Sequence, residues 1–562
     1  MNGTTLVVTP KGGSTLSEKL RKFLALALAL ALVVTMFGIV GCGGGEEPES
    51  DVQKGGTMKF RLGDIAFIDP INLQESEGTQ VGSVVFDSLT AFDPLTGELL
   101  PAAAESWEPN DDATVWTFNL VQGAKFHNGR EVTAKDFKYA WERICNPDNG
   151  SEIAYHIEPV KGYQAMQDKT ATELEGVKVV DDYTLEVTLE YGWADFEFVV
   201  GHPAFAPVPQ EEVEKDVEAF GLMPIGNGPF KMVEPWVADQ YIKVEKFADY
   251  YGDEPNIDAI DFVIISDQDT AWLEFQAGNL DFTDIPVGQI ESSVAEYGEA
   301  PDGYTINPGE QVVLGAESAT YYYLINNTIE PFKDNVKLRQ ALNMAIDRQE
   351  ICDKVYEGVR VPATGMVPPG IPGFVEDQWP GVTYDVEGAK AMLAEAGFPN
   401  GEGLPTITLD YNTGSNHDQP ALLVQEDLKA IGINTELRGT EWAAYLDKLD
   451  AKDYQIGRLG WIADYPIMDN FLYPLFQSEA ANNSSGFNDP AVDAALQEAR
   501  STTDVDERLA KYAEIERTIG ETYPVIPLAF YRHAQVGSDR VNDGVFSVFS
   551  LFSFDTVWLT QE

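Results

Sequence analysis

From residue 55 onward, short stretches of alternating apolar residues are interleaved with stretches in which apolar residues recur every three or four positions. That interleaving admits little besides a mixed α/β protein. The segment 114–120 places Trp116, Phe118 and Leu120 on one face of a strand, and 184–190 does the same with Leu185, Val187 and Leu189. Between them Thr133 and Asp136 form a capping pair, followed at helical spacing by Phe137, Ala140, Trp141 and Ile144. A long helix is predicted over 334–356, with Leu338, Ala341, Leu342, Ala345 and Ile346 as its stripe, and another over 389–396, stopped by Gly397 and Pro399. Asp504 and Glu507 cap a further helix that ends before Pro524. No repeat, heptad array or low-complexity tract interrupts this pattern, which excludes a solenoid or coiled coil.

Ahead of this body, Lys19, Arg21 and Lys22 precede the apolar run 23–37, and Ile39-Val-Gly-Cys42 follows it. The order of basic, apolar and small residues is that of a secretory signal, and a Cys after Ile-Val-Gly resembles the site at which bacterial lipoproteins are diacylated. The expectation is a signal peptide over 1–41, lipidation at Cys42 and a solvated Gly-Glu-Pro-Ser tether over 42–53. A retained membrane helix is the competing reading, since 23–41 is long enough to span a bilayer. The acidic flank Glu46-Glu47 lacks the basic residues that a membrane exit carries.

The net charge of −55 repels nucleic acid and anionic lipid. With 44% hydrophobic and 11% aromatic residues, however, the chain has ample material for cores, and its length suggests about three domains. With Cys42 assigned to lipid, Cys145 and Cys352 are expected to be buried thiols. The five histidines are scattered without metal-ligand spacing.

Catalytic signatures are missing: there is no Gly-x-Ser-x-Gly, no phosphate-binding loop and no His-Glu-x-x-His. Gly226-Asn-Gly-Pro-Phe230 reads as a tight turn leading into a strand. More informative is Arg458-Leu-Gly-Trp-Ile-Ala-Asp-Tyr-Pro466, where Arg458, Trp461 and Asp464 sit in an apolar, strand-like stretch. Charges do not enter such surroundings without partners. Two readings stand: an internal ion pair with other side chains, or a zwitterionic ligand whose ammonium meets Asp464 and whose carboxylate meets Arg458. Tyr321-Tyr-Tyr323, with Trp461 and Tyr465, offers aromatic lining for a cleft or simply core.

The modules Pro101-Ala-Ala-Ala-Glu-Ser-Trp107, Lys125-Phe-His-Asn-Gly-Arg130, Gly226-Asn-Gly-Pro-Phe230, Tyr321-Tyr-Tyr-Leu-Ile-Asn-Asn327, Arg339-Gln-Ala-Leu-Asn-Met-Ala-Ile-Asp-Arg348 and Trp461 to Pro466 follow one another in a particular order. In that order the chain resembles the extracellular solute-binding proteins of family 5, the oligopeptide- and dipeptide-binding lipoproteins of ABC importers. The resemblance implies an α/β, two-lobed, three-domain clamp of the periplasmic-binding-protein type. Its discontinuous domain I would comprise 54–86, 219–317 and 531–562, with domain II at 87–218 and domain III at 318–530. It implies no enzyme and no cofactor, but a monomeric binder that hands solute to a permease with separate ATPase subunits.

Carried over residue by residue, the resemblance assigns the peptide α-ammonium to Asp464, with Trp461 on a strand that pairs with peptide backbone. The peptide C-terminus falls to Arg458 and to His417 in Asn412-Thr-Gly-Ser-Asn-His417, with Tyr321 and Tyr323 lining the cleft. An arginine expected nine residues before Arg458 is replaced by Leu449, beside Lys448, and a further basic contact aligns loosely with Lys354. Same-fold binders of nickel chelates, oligosaccharides or haem, and a peptide-sensing lipoprotein, are the competing functions.

Overall fold

A computed structural model describes residues 52–561, apart from 74, 152, 239 and 414. The signal segment, Cys42 and most of the tether lie outside the described residues.

Three sheets organise the body. A four-stranded antiparallel sheet joins Ala104–Pro109, Val115–Leu120, Thr184–Thr188 and Val177–Asp181 in that order. Trp116, Phe118 and Leu120 point inward, as their spacing predicts. They meet the helix Ala134–Cys145, whose Thr133 and Asp136 form the reciprocal capping box and whose Phe137, Ala140, Trp141 and Ile144 are buried. A seven-stranded sheet runs Val312–Val313, Gln535–Gly537, Phe282–Asp284, Thr57–Leu62, Ala259–Ile264, Tyr241–Lys246 and Phe230–Met232. A six-stranded sheet runs Val361–Pro362, Val525–Arg532, Ala316–Ile325, Ile456–Ile462, Ile407–Asn412 and Thr435–Thr440. Separate apolar clusters cover its two faces, with Tyr321, Tyr323 and Ile325 on one and Tyr322 and Leu324 on the other.

The chain passes between the two large sheets twice, and the crossings lie side by side. The His533 amide donates to the Gly315 carbonyl at 3.1 Å. Arg532 donates Nε and Nη2 to the Leu314 carbonyl at 3.1 and 2.8 Å.

Gly226-Asn-Gly-Pro-Phe230 is the expected tight turn into the strand Phe230–Met232. Its glycines are required by close approach, since a Cβ on Gly226 would stand 2.0 Å from the Val85 carbonyl oxygen. Asn227, fully buried, accepts from the Asp87 amide and donates to the Asp87 carbonyl, both at 3.0 Å.

The helix expected over 334–356 is two helices, Val336–Ala345 and Arg348–Val355. Apolar spacing continues through the break, but Ile346 is extended and Asp347 caps the second helix by accepting from the Glu350 amide at 2.9 Å. Arg348 rewards the break, donating to the carbonyls of Pro527 at 2.6 Å, Val382 at 2.8 Å and Asn343 at 2.9 Å. The helix predicted over 389–396 starts earlier, spanning Val386–Glu395 from an Asp385 cap. Asp504 caps Val505–Gly520 as expected. Cys145 and Cys352 are buried and free. Among the described residues no helix is long and apolar enough to cross a membrane.

Candidate functional site

The site grows from the middle of the six-stranded sheet. Strand Ile456–Ile462 pairs antiparallel with Ala316–Ile325 along its whole length, from Ile325 opposite Ile456 to Ala319 opposite Ile462. Its other edge is paired only at Ile456 and Gly457, with Leu409 and Asp410. There the Tyr445 hydroxyl acts as a wedge, donating to the Arg458 carbonyl at 2.7 Å with the Asp410 carbonyl 3.2 Å away. Beyond it, among the described residues, no strand pairs with the edge of Leu459–Ile462 on that side. An unpaired run of main-chain donors and acceptors is a template for an added strand.

Strand alternation decides where the predicted residues go. Arg458 faces the same side as Tyr321 and Tyr323, and Trp461 the opposite side. Arg458 is buried, its guanidinium carbon 4.5 Å from the centre of the Tyr321 ring. It donates to the Tyr531 hydroxyl at 2.8 Å and to Asn412 Oδ1 at 3.2 Å, while its Nε has no partner among the described residues. His417 stands against the same tyrosine, Nδ1 3.4 Å from the Tyr321 hydroxyl. Tyr321 and Tyr323 are both buried, with rings 5.9 Å apart, and neither lines the cavity between the large sheets.

Trp461 and Asp464 form a second group. Asn470, fully buried, receives the Trp461 indole N–H at 3.1 Å and the Asp464 amide at 3.0 Å, and donates to Asp464 Oδ2 at 3.0 Å. One carboxamide thus fixes both side chains. Burial pushes the Asp464 carboxyl above its ordinary range, opposed by His202 and by the Asn470 bond. His202 itself is held down at about 4 by burial and supplies no standing cation. Among the described residues neither Arg458 nor Asp464 belongs to an ion pair, so the internal-pair reading finds no partner for either.

The first group borders a cavity of about 340 Å³ between the large sheets. His417, Arg360, Tyr356, Tyr531 and Ile462 contribute to its wall from one side, and Arg61, Glu77, Gln80 and Asp284 from the other. Arg458 lies behind Tyr531, and Trp461 and Asp464 lie outside the lining. Opposite His417, Arg61 is paired with Asp284, and burial raises Glu77 to about 7.

Burial, and then the fields of Arg458 and Arg360, hold the His417 pKa far below its ordinary value. It is therefore expected to stay neutral from pH 5 to 8. An NMR titration of its ring carbons checks this: a midpoint near 6.5 contradicts the arrangement.

Arg360 was not foreseen from sequence. It stacks 3.9 Å from the Tyr531 ring centre and 4.2 Å from that of Tyr356, and it lines the cavity. Lys354, the loosely aligned basic contact, pairs at the surface with Glu350, and Lys448 is paired with buried Asp410. Leu449 is core.

The model of the bacterial extracellular solute-binding proteins, family 5, matches residues 98–483. The chain belongs to that family. Members of family 5 bind solutes without transforming them, and this chain is accordingly a binding protein and not an enzyme. It is 31% identical over 537 residues to the oligopeptide-binding protein OppA of Bacillus subtilis, covering 93% of this chain and 96% of that one. The Escherichia coli murein tripeptide binding protein MppA superposes with a TM-score of 0.80 at 27% identity, over 91% of this chain and 100% of that structure. Haemophilus influenzae OppA in complex with RPPGFSPFR gives a TM-score of 0.77 at 28% identity, over 91% and 100%. The fold is the α/β, two-lobed clamp of these family 5 structures.

Proposed function

We propose that this chain captures oligopeptides in the cleft between its large sheets and delivers them to an ABC permease. The observation that carries the reading is the free edge of Leu459–Ile462, set between an unpaired anion at Asp464 and an unpaired cation at Arg458. An extended peptide would add to that edge, with its ammonium at Asp464 and its carboxylate toward Arg458 and His417. Six residues of extended chain reach at most about 20 Å, so charges at 458 and 464 suit short peptides. The relatives named for oligopeptides and for a murein tripeptide support the same class.

The division into domain I (54–86, 219–317 and 531–562), domain II (87–218) and domain III (318–530) belongs to this proposal. The paired crossings at Leu314–Gly315 and Arg532–His533 would serve as the hinge. The protein would act as a monomer on the outer face of the membrane, held by lipid at Cys42.

Thermal shift of the full chain, purified in detergent, with di- to hexapeptides free or N-acetylated, tests the reading. A specific ligand at a hundredfold excess over Kd adds about 2.7 kcal/mol. Stabilisation by free peptides, much reduced on acetylation, is expected. Stabilisation by a sugar, haem or nickel chelate and by no peptide would overturn the substrate.

A further inference from the structure

The cleft holds one more guanidinium than a peptide's C-terminus needs. Arg360 and Arg458 approach the same side chain, Tyr531, from different directions: Arg360 lies 3.9 Å over its ring, and Arg458 donates to its hydroxyl at 2.8 Å. Both also touch Tyr321, at 5.9 and 4.5 Å from the ring centre. Two guanidiniums that share two rings repel each other. Ring faces offset part of that cost, but they satisfy none of the fork of N–H donors. Among the described residues Arg360 makes no hydrogen bond or ion pair, and Arg458 has no carboxylate partner and an unbonded Nε.

The carboxylates of the cavity wall are otherwise engaged. Asp284 is paired with Arg61, and Glu317, whose charge acts on Arg360, accepts from the Ser550 hydroxyl and forms no ion pair with that guanidinium. Glu77 is raised to about 7 by burial, which weakens it as a counter-charge. His417 is held neutral and adds a hydrogen-bonding group but no charge. A peptide α-carboxylate at Arg458 would still leave the N–H fork of Arg360 without a carboxylate in contact at the cavity wall.

We propose that Arg360 binds a second carboxylate, that of the peptide's C-terminal side chain, so that the cleft selects peptides ending in Asp or Glu. This rests on the peptide reading above. A C-terminal acidic residue holds two carboxylates within one side chain's length of each other, as suits two guanidiniums that approach the same pair of tyrosines. The Arg360 guanidinium, free of hydrogen bonds among the described residues, presents a planar fork suited to a bidentate carboxylate.

The test is calorimetry on the full chain with tri-, tetra- and pentapeptides of alanine ending in Asp, Asn, Glu or Gln. At the length that binds, Asp- and Glu-ending peptides are expected to bind about tenfold more tightly than their amide isosteres. In R360Q that ratio is expected to fall to about two or less, with R360K between. Amide-ending peptides that bind as tightly as acidic ones in the unaltered chain would overturn this inference while leaving the peptide reading intact. A preference that survives R360Q would also overturn it. Binding of no peptide at any length would overturn both readings together. Because the first comparison uses no variant, it stands even if R360Q does not fold.

Discussion

Asp464→Ala is expected to weaken binding of free peptides by about 2–5 kcal/mol, the cost of leaving a desolvated ammonium without its counter-charge. Asp464 is half-buried, and under the proposed binding mode the peptide ammonium would complete its enclosure. The substitution leaves the surrounding framework in place, because the Asp464 amide still donates to Asn470 Oδ1, which also receives the Trp461 indole. Stability without ligand should therefore change little, whereas affinity should fall 30-fold or more, by the conversion of about 1.4 kcal/mol per tenfold. N-acetylated peptides carry no ammonium and should lose nothing further in the variant. Calorimetry with one free and one acetylated peptide on both proteins decides the matter. Unchanged affinity for the free peptide in Asp464→Ala would remove Asp464 from the site.

What the sequence made legible, and what it hid, follows the range over which the physics acts. Thr133 and Asp136 lie three residues apart and satisfy each other's backbone, so their capping box could be read directly. Arg458 and Asp464 were conspicuous because charges seldom enter an apolar strand. That neither has an ion-pair partner among the described residues depends on every segment packed around them, and it is visible only in the fold. Spacing alone also ran Leu338 to Ile346 into a single helix. The break at Ile346–Asp347 is favoured by Arg348 reaching carbonyls at Pro527 and Val382, far away in sequence. Arg360 stayed hidden for the same reason: Tyr531, over whose ring it sits, comes from a distant strand end. Lys354, four residues after Glu350 on one helix, was instead drawn into a local surface pair. Family resemblance pointed to the strand 456–462, but alternation put Arg458 and Trp461 on opposite faces.

A large effect on stability is expected away from the cleft, at Asp469. Both of its oxygens are engaged by Arg500, with Nε donating at 2.9 Å and Nη2 at 2.7 Å, and Tyr512 donates to Oδ1 at 3.0 Å. Arg500 continues outward to the Tyr191 hydroxyl at 2.9 Å and is sandwiched by the rings of Tyr473 at 3.2 Å and Trp193 at 4.1 Å. Both charged side chains are buried, so Asp469→Asn keeps the shape and strands the arginine's charge. Breaking such a pair from one side costs about 3–5 kcal/mol. Urea unfolding should show a lower midpoint with an unchanged slope, since the surface exposed on unfolding is the same. Asp469→Leu combined with Arg500→Met removes both charges and should recover part of the loss, because an apolar pair carries no desolvation penalty. Recovery should stay incomplete, as the Tyr191 and Tyr512 hydroxyls lose partners worth about 1–3 kcal/mol each. A single substitution costing under about 1 kcal/mol would show that water or a rearranged side chain takes the place of the carboxylate. Peptide affinity should be unaffected in either variant while the chain is folded, since Asp469 faces Tyr512 and Arg500 and not the cavity. Stability and binding are thus separable at two aspartates five residues apart.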